Sequence, residues 1–150
     1  MRFSESELSA CCASRTWVAA VAGRGYADLA ELRAAGQAAL DALAWADVEE
    51  ALAAHPRIGA RTDGWSRAEQ AGMSDAAAAV RAALVAGNRA YEELFGHVFL
   101  ICATGRSAAG MLADLRDRLA NDAETERAVV RGELAKIVGL RLAKLAGEDG

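Results

Sequence analysis

Proline occurs once in this chain of 150 residues, histidine twice and cysteine three times, and each scarcity excludes something. Cys11 and Cys12 are adjacent and Cys102 is distant, so the thiols form neither a disulfide framework nor a zinc pattern. Free, buried thiols in a reducing compartment are the expectation. His55 and His97 stand at no metal-ligand spacing, and no carboxylate cluster completes a site, so no metal is expected. Long apolar runs are missing too, which excludes a span of a bilayer. The opening Met1-Arg2-Phe3-Ser4-Glu5-Ser6-Glu7 does not have the form of a signal peptide. A soluble, cytoplasmic protein is expected. There is no basic excess: Lys and Arg number 17 against 21 Asp and Glu, for a net charge of −4. That argues against a general nucleic-acid binder, while a local arginine can still serve a small anionic substrate. The glycines match no phosphate-binding loop. No catalytic triad is apparent, and Cys102 lacks the cationic neighbour that would activate a thiolate.

What is present is helix. Apolar residues are 53% of the chain, enough at this length for one domain, residues 1–150, with a real core. Ser4 and Glu7 fit a capping box, a hydroxyl at the N-cap and a carboxylate three residues on. Leu8, Cys11, Cys12, Val18 and Val21 continue that helix to about Gly23. Asp28 opens a second helix to about Leu43, and Asp47 a short third one that Pro56 ends. Residues 57–65 form a loop, Ser66 and Glu69 make a second capping-box match, and a short helical piece runs to Gly72. Ser74 caps a long helix through Leu84, Asn88, Tyr91 and Phe95, stopped by Gly96. His97 to Cys102 is either a short extended segment or the apolar start of a helix; periodicity does not decide. Ser107 caps a helix through Met111, Leu112, Leu115 and Leu119. Asn121-Asp122 makes a turn, and the last helix runs from about Ala123 to Leu145, with Val130, Leu134, Ile137, Leu140 and Leu145 near one face. The expectation is an all-α domain of about seven or more helices.

The lone proline stands beside a histidine, in Ala54-His55-Pro56-Arg57-Ile58-Gly59. Proline fixes its own φ, lacks an N–H and pushes the residue before it out of the α region. His55 therefore belongs at a helix exit, its ring aimed by a stiff turn, and histidine is suited to moving protons near neutral pH. The helix dipole alone also favours a histidine there. Ser66, Glu69 and Gln70 place a hydroxyl, a carboxylate and an amide at one helix start, where free N–H groups bind anions. Capping alone also explains Ser66 and Glu69. Asn88, Tyr91 and Phe95 share a helical face and fit core packing. Ile101-Cys102-Ala103-Thr104-Gly105 offers irregular backbone to a ligand. Arg141, among Val138, Leu140 and Leu142, either meets a buried partner or an anion or reaches solvent. His97, beside Gly96, fits a packing or helix-end role.

The order of these segments resembles a known family. It runs His-Pro-Arg-Ile-Gly at 55–59, Ser-x-x-Glu-Gln-x-Gly at 66–72, Asn-x-x-Tyr-x-x-x-Phe-Gly-x-x-Phe at 88–99, Gly-Arg-Ser at 105–107 and Glu-x-x-Lys-Ile-x-x-x-Arg-Leu at 133–142. No single motif is specific, but five in this order are, and the region from Cys11 to Trp17 also fits. The chain is similar to the 2-oxo-4-hydroxy-4-carboxy-5-ureidoimidazoline (OHCU) decarboxylases, which complete urate oxidation to (S)-allantoin. The resemblance implies an all-helical homodimer without a cofactor. It implies His55 as catalytic proton donor and Glu69 as its acidic partner. Pro56, Ser66 and Gln70 would line the substrate pocket. Ile101, Cys102, Ala103, Thr104 and Gly105 would offer backbone groups, and Arg141 would complete the polar lining. Two other readings compete: a helical binding module without turnover, and a decarboxylase or binder for a related ureido or imidazoline acid.

Overall fold

The computed structural model describes residues 1–57 and 75–147, and these form seven helices with no strand among them. The helices are α1 (Glu5–Cys11), α2 (Arg15–Val21), α3 (Leu29–Asp41), α4 (Trp45–Leu52), α5 (Asp75–Phe95), α6 (Ala108–Leu119) and α7 (Ala123–Leu145). The fold is all-α, as expected. The chain groups into two compact units, one of Met1–Ala54 with Val129–Gly150, the other of His55–Ala128.

In the first unit the local capping signals act as expected. The Ser4 hydroxyl accepts from the Glu7 N–H at 3.1 Å and the Glu7 carboxylate from the Ser4 N–H at 3.0 Å, closing the capping box. Asp28 caps α3 by accepting from the Glu31 N–H at 2.8 Å. The single first helix expected up to Gly23 is instead two. Cys12 turns extended, and the buried Ser14 hydroxyl starts α2 by accepting from the Trp17 N–H at 3.2 Å. A serine that can serve the backbone as a cap competes with helix continuation, and the break lets Cys12 and Trp17 both be fully buried. The Trp17 indole N–H donates to the Gly36 carbonyl at 3.0 Å, the partner that a buried indole requires. A Cβ on Gly36 would lie 2.9 Å from Leu142 Cδ1, so the glycine permits this close approach. Asp47, expected to open α4, lies inside its first turn and accepts from the Thr16 hydroxyl at 3.0 Å; Ala44 is the N-cap and supplies no side-chain bond. On α7 the buried row is Val130, Leu134, Val138 and Leu142, a strict i, i+4 register. Ile137, Leu140 and Leu145 are only half-buried beside it.

In the second unit α5 packs against α6 around Leu84, Tyr91, Phe99, Ile101, Leu112 and Leu115. A Cβ on Gly87 would lie 2.4 Å from Leu115 Cδ2, so the two helices meet where α5 has no side chain. Gly96 ends α5 with φ of +81°, its N–H bonded to the Glu92 carbonyl at 2.8 Å. Ser107 starts α6 by accepting from the Gly110 N–H at 3.0 Å. Between them, residues 97–107 are neither helix nor strand, so His97 to Cys102 do not start a helix and form an irregular segment.

Candidate active site

The helix exit at His55 is completed before the proline. α4 ends at Leu52, Ala53 is its C-cap in the αR region, and the Ala54 N–H closes a last turn onto the Ala51 carbonyl at 3.2 Å. Two further residues bring the chain to half-buried His55 and exposed Pro56. The helix thus stops a little earlier than a proline-terminated one, leaving His55 in a bend rather than on the last helical turn. Arg57 anchors the far side of that bend: its Nε donates to both oxygens of Glu92, at 2.8 and 3.0 Å, in the last turn of α5. Both partners are partly exposed, so this ion pair orients the turn more than it stabilises the fold.

The segment after α5 passes from core to surface. His97 is half-buried, its ring centroid 5.5 Å from Tyr91 and 6.3 Å from Phe95, which agrees with a packing role. Phe99, Leu100 and Ile101 are buried, Cys102 is half-buried, and Ala103, Thr104 and Gly105 are exposed. The Arg106 N–H closes a turn onto the Ala103 carbonyl at 3.0 Å, with Gly105 at φ of +74° inside it, where a side chain would be strained. This segment and the His55 turn are therefore tied to the same end of α5: Arg57 through Glu92, and Phe99 and Ile101 through the Tyr91 cluster.

Buried backbone outside helices and sheets must find its hydrogen-bond partners elsewhere. For Leu100 the partner is Arg118 of α6, whose Nη1 donates to the Leu100 carbonyl at 2.7 Å. The guanidinium stacks over the Phe99 ring at 4.4 Å. Its Nε and Nη2 donate to the Glu126 carboxylate at 2.9 and 2.5 Å. The Tyr91 hydroxyl donates to the same carboxylate, as does the Asn121 amide at 3.2 Å. Glu126 is fully buried and Arg118 nearly so. Burial, with the adjacent carboxylate, pushes the Tyr91 phenol far above its ordinary range and keeps it a donor. Arg118 and Glu126 were not among the residues expected from the sequence. Their signal was a charge on each apolar face: Arg118 lies i+3 from Leu115, and Glu126 i−4 from Val130.

Arg141 belongs to the first unit, where its exposed guanidinium reaches the Cys11 and Ala10 carbonyls at the end of α1, at 3.4 and 3.5 Å. Cys11 and Cys12 are free thiols, raised by burial and so held unreactive. Asn88 donates to the Leu84 carbonyl at 2.8 Å within the core, as packing predicts. Ser66, Glu69 and Gln70 lie outside the described residues. Among the described residues no cluster of His, Cys, Asp and Glu could hold a metal ion, and no helix is long and apolar enough to cross a membrane. A groove of about 270 Å³ on the first unit, between α3 and α7, contains none of the expected site residues.

The family model of OHCU decarboxylase matches residues 3–143. The chain belongs to the OHCU decarboxylase family. A second indication comes from relatives of this family. The chain is 31% identical over 155 residues to the uric acid degradation bifunctional protein TTL of Arabidopsis thaliana, covering 97% of this chain and 48% of that protein. It thus spans about half the length of that relative. It is 33% identical over 128 residues to the 2-oxo-4-hydroxy-4-carboxy-5-ureidoimidazoline decarboxylase of Amia calva, covering 80% of this chain and 73% of that one. Among solved structures, an OHCU decarboxylase crystallised in the presence of (S)-allantoin superposes with a TM-score of 0.84 at 30% identity, over 97% of this chain and all of the other. An (S)-allantoin synthase structure matches at TM-score 0.67 and 20% identity, over 94% of this chain and 49% of that one, which speaks for the fold alone.

Proposed function

We propose that this chain decarboxylates OHCU to (S)-allantoin without a cofactor, acting as one domain and as a cytoplasmic homodimer. The observation that carries the reading is the family match over residues 3–143, which runs through both units and every segment singled out for chemistry. The substrate bears a carboxylate on a carbon that also carries a hydroxyl, next to a C=N bond. The bond to the carboxylate breaks, its electron pair moves toward that C=N, CO₂ leaves, and one proton is taken up. The substrate is its own electron sink, so the protein's task is to orient the carboxylate and deliver the proton to one face.

The residues suit those tasks. His55, held in its bend, supplies a group that exchanges protons near neutral pH. Glu69 either takes the hydroxyl proton or orients the imidazole. Pro56, Ser66 and Gln70 line the pocket. The backbone of Ile101 to Gly105 meets the ring and ureido amides, consistent with a segment that leaves the core and exposes residues 103–105 within a hydrogen-bonded turn. Arg141 completes the polar lining.

His55→Ala and Glu69→Ala are each expected to slow decarboxylation by at least about 100-fold, the low end for general acid–base groups, with the helical circular dichroism intact. Because OHCU also decays on its own, the assay follows the early rate and the handedness of the product. Near-normal (S)-allantoin formation by either variant rejects the assignment.

A further inference from the structure

We propose that Arg118 is a positioning residue for the substrate segment, holding it through the Leu100 carbonyl while Glu126 and Tyr91 hold Arg118. The proposal rests on the reading of Ile101 to Gly105 as substrate-binding. Leu100 is the last residue but one before the segment leaves the core, and its carbonyl lies in a stretch with no regular secondary structure. A short irregular stretch of that kind has many alternative backbone conformations, and selecting one requires a partner fixed elsewhere in the fold. Arg118 is such a partner. It stands 18 residues away on α6 and is nearly fully buried, and its donors face both the Leu100 carbonyl and the Glu126 carboxylate.

The fork geometry is what the task requires. A guanidinium holds a carboxylate with Nε and Nη2 while its remaining Nη1 points elsewhere in the same plane. Glu126 is itself fixed by Tyr91 and Asn121, and the Arg118 guanidinium face is stacked against Phe99, the residue just before Leu100. Rotation of the guanidinium is thereby blocked on several sides. A lysine ammonium at the same place is a point charge on a flexible stem. It can satisfy Glu126 but does not reproduce two directed contacts at once.

The consequence is a specific kinetic signature. On this reading the backbone groups of Ile101 to Gly105 bind ring and ureido amides whose own charge and bonding change little in the proton transfer, so a misplaced segment weakens the ground state and transition state alike. Such a loss raises KM and leaves kcat nearly unchanged. A role in stability alone does the opposite: it lowers the folded fraction, and with it the apparent kcat, without moving KM.

The test uses the full chain and freshly generated OHCU, with R118K and the double variant R118M/E126L, each assayed well below its melting point. The double variant removes both buried charges, so it leaves Leu100 without its donor and leaves no unpaired charge in the core. Amide hydrogen exchange is measured over the peptide spanning residues 99–105. The expected result in both variants is KM raised about tenfold, kcat within twofold, and exchange in that peptide accelerated at least tenfold. Unchanged exchange overturns the positioning role of Arg118. Accelerated exchange with unchanged KM overturns the reading of the segment as substrate-binding and, with it, the functional half of the proposal.

Discussion

The Arg118–Glu126 pair allows a stability prediction whose size is set by its surroundings. Arg118→Met leaves the Glu126 carboxylate fully buried with only the Tyr91 hydroxyl and the Asn121 amide to solvate it, among the donors described. Glu126→Leu leaves the guanidinium buried with the Leu100 carbonyl and a ring face. Breaking a buried pair by removing one partner costs about 3–5 kcal/mol, so the two single losses together amount to about 6–10 kcal/mol. The double variant R118M/E126L has no buried charge left. What remains is the Leu100 carbonyl and the Tyr91 hydroxyl without these partners, at about 1–3 kcal/mol each; the half-buried Asn121 amide also loses Glu126 but can turn to water. The double variant therefore falls short of the sum of the singles by about 4 kcal/mol, a large coupling for neighbouring residues. The measurement is urea unfolding followed by helical circular dichroism for wild type, both singles and the double. Each single loss is a large part of a total of about 5–15 kcal/mol, so an osmolyte such as trimethylamine N-oxide brings the weaker variants into range. Losses that add to within about 0.5 kcal/mol refute the reasoning, because independent sites behave that way.

The same packing leads to three further outcomes. Gly87→Ala places a methyl against fully buried Leu115 and is expected to destabilise by about 1–3 kcal/mol, outweighing the gain in helix propensity. Gly132→Ala, on α7 with nothing within 4 Å of the new Cβ, is expected to stabilise by about 0.5–1 kcal/mol, and thermal melts that fail to separate the two in sign reject the packing account. Tyr91 titrates higher in the folded chain than the roughly pH 10 of an unfolded tyrosine. Its contribution is therefore fully present below that pH and is lost as the pH rises above it, at up to about 1.4 kcal/mol per unit. Urea unfolding between pH 9 and 11.5 should show a steeper loss in wild type than in Tyr91→Phe, and equal slopes contradict the shift.

What could be read from the sequence was local. Ser4 with Glu7, Asp28 and Ser107 announced their helices because a cap is a bond between residues three apart, and Gly96 announced an end because only a glycine takes that φ easily. His55 stood out for the same reason: Pro56 constrains its neighbour whatever the fold. What escaped was decided at a distance. The break after Cys11 depends on burying Trp17 against the Gly36 carbonyl, 19 residues on. Residues 97–102 find a partner in Arg118 on another helix, a contact that no local pattern announces, and so the apolar run stayed ambiguous. The α7 register slipped by one position at Ile137 because an apolar face wider than its buried row offers two rows to choose from. Arg118 and Glu126 were visible as charges on apolar stripes, but only the fold pairs them across the Asn121-Asp122 turn.

The central claim is stereospecific decarboxylation, and one measurement meets it directly. OHCU is generated from urate in situ, and the circular dichroism at the allantoin band is followed with and without the protein. The account predicts a rapid rise of the (S)-allantoin signal that scales with protein concentration. A signal that grows no faster than spontaneous decay, or that shows no preference of hand, contradicts it.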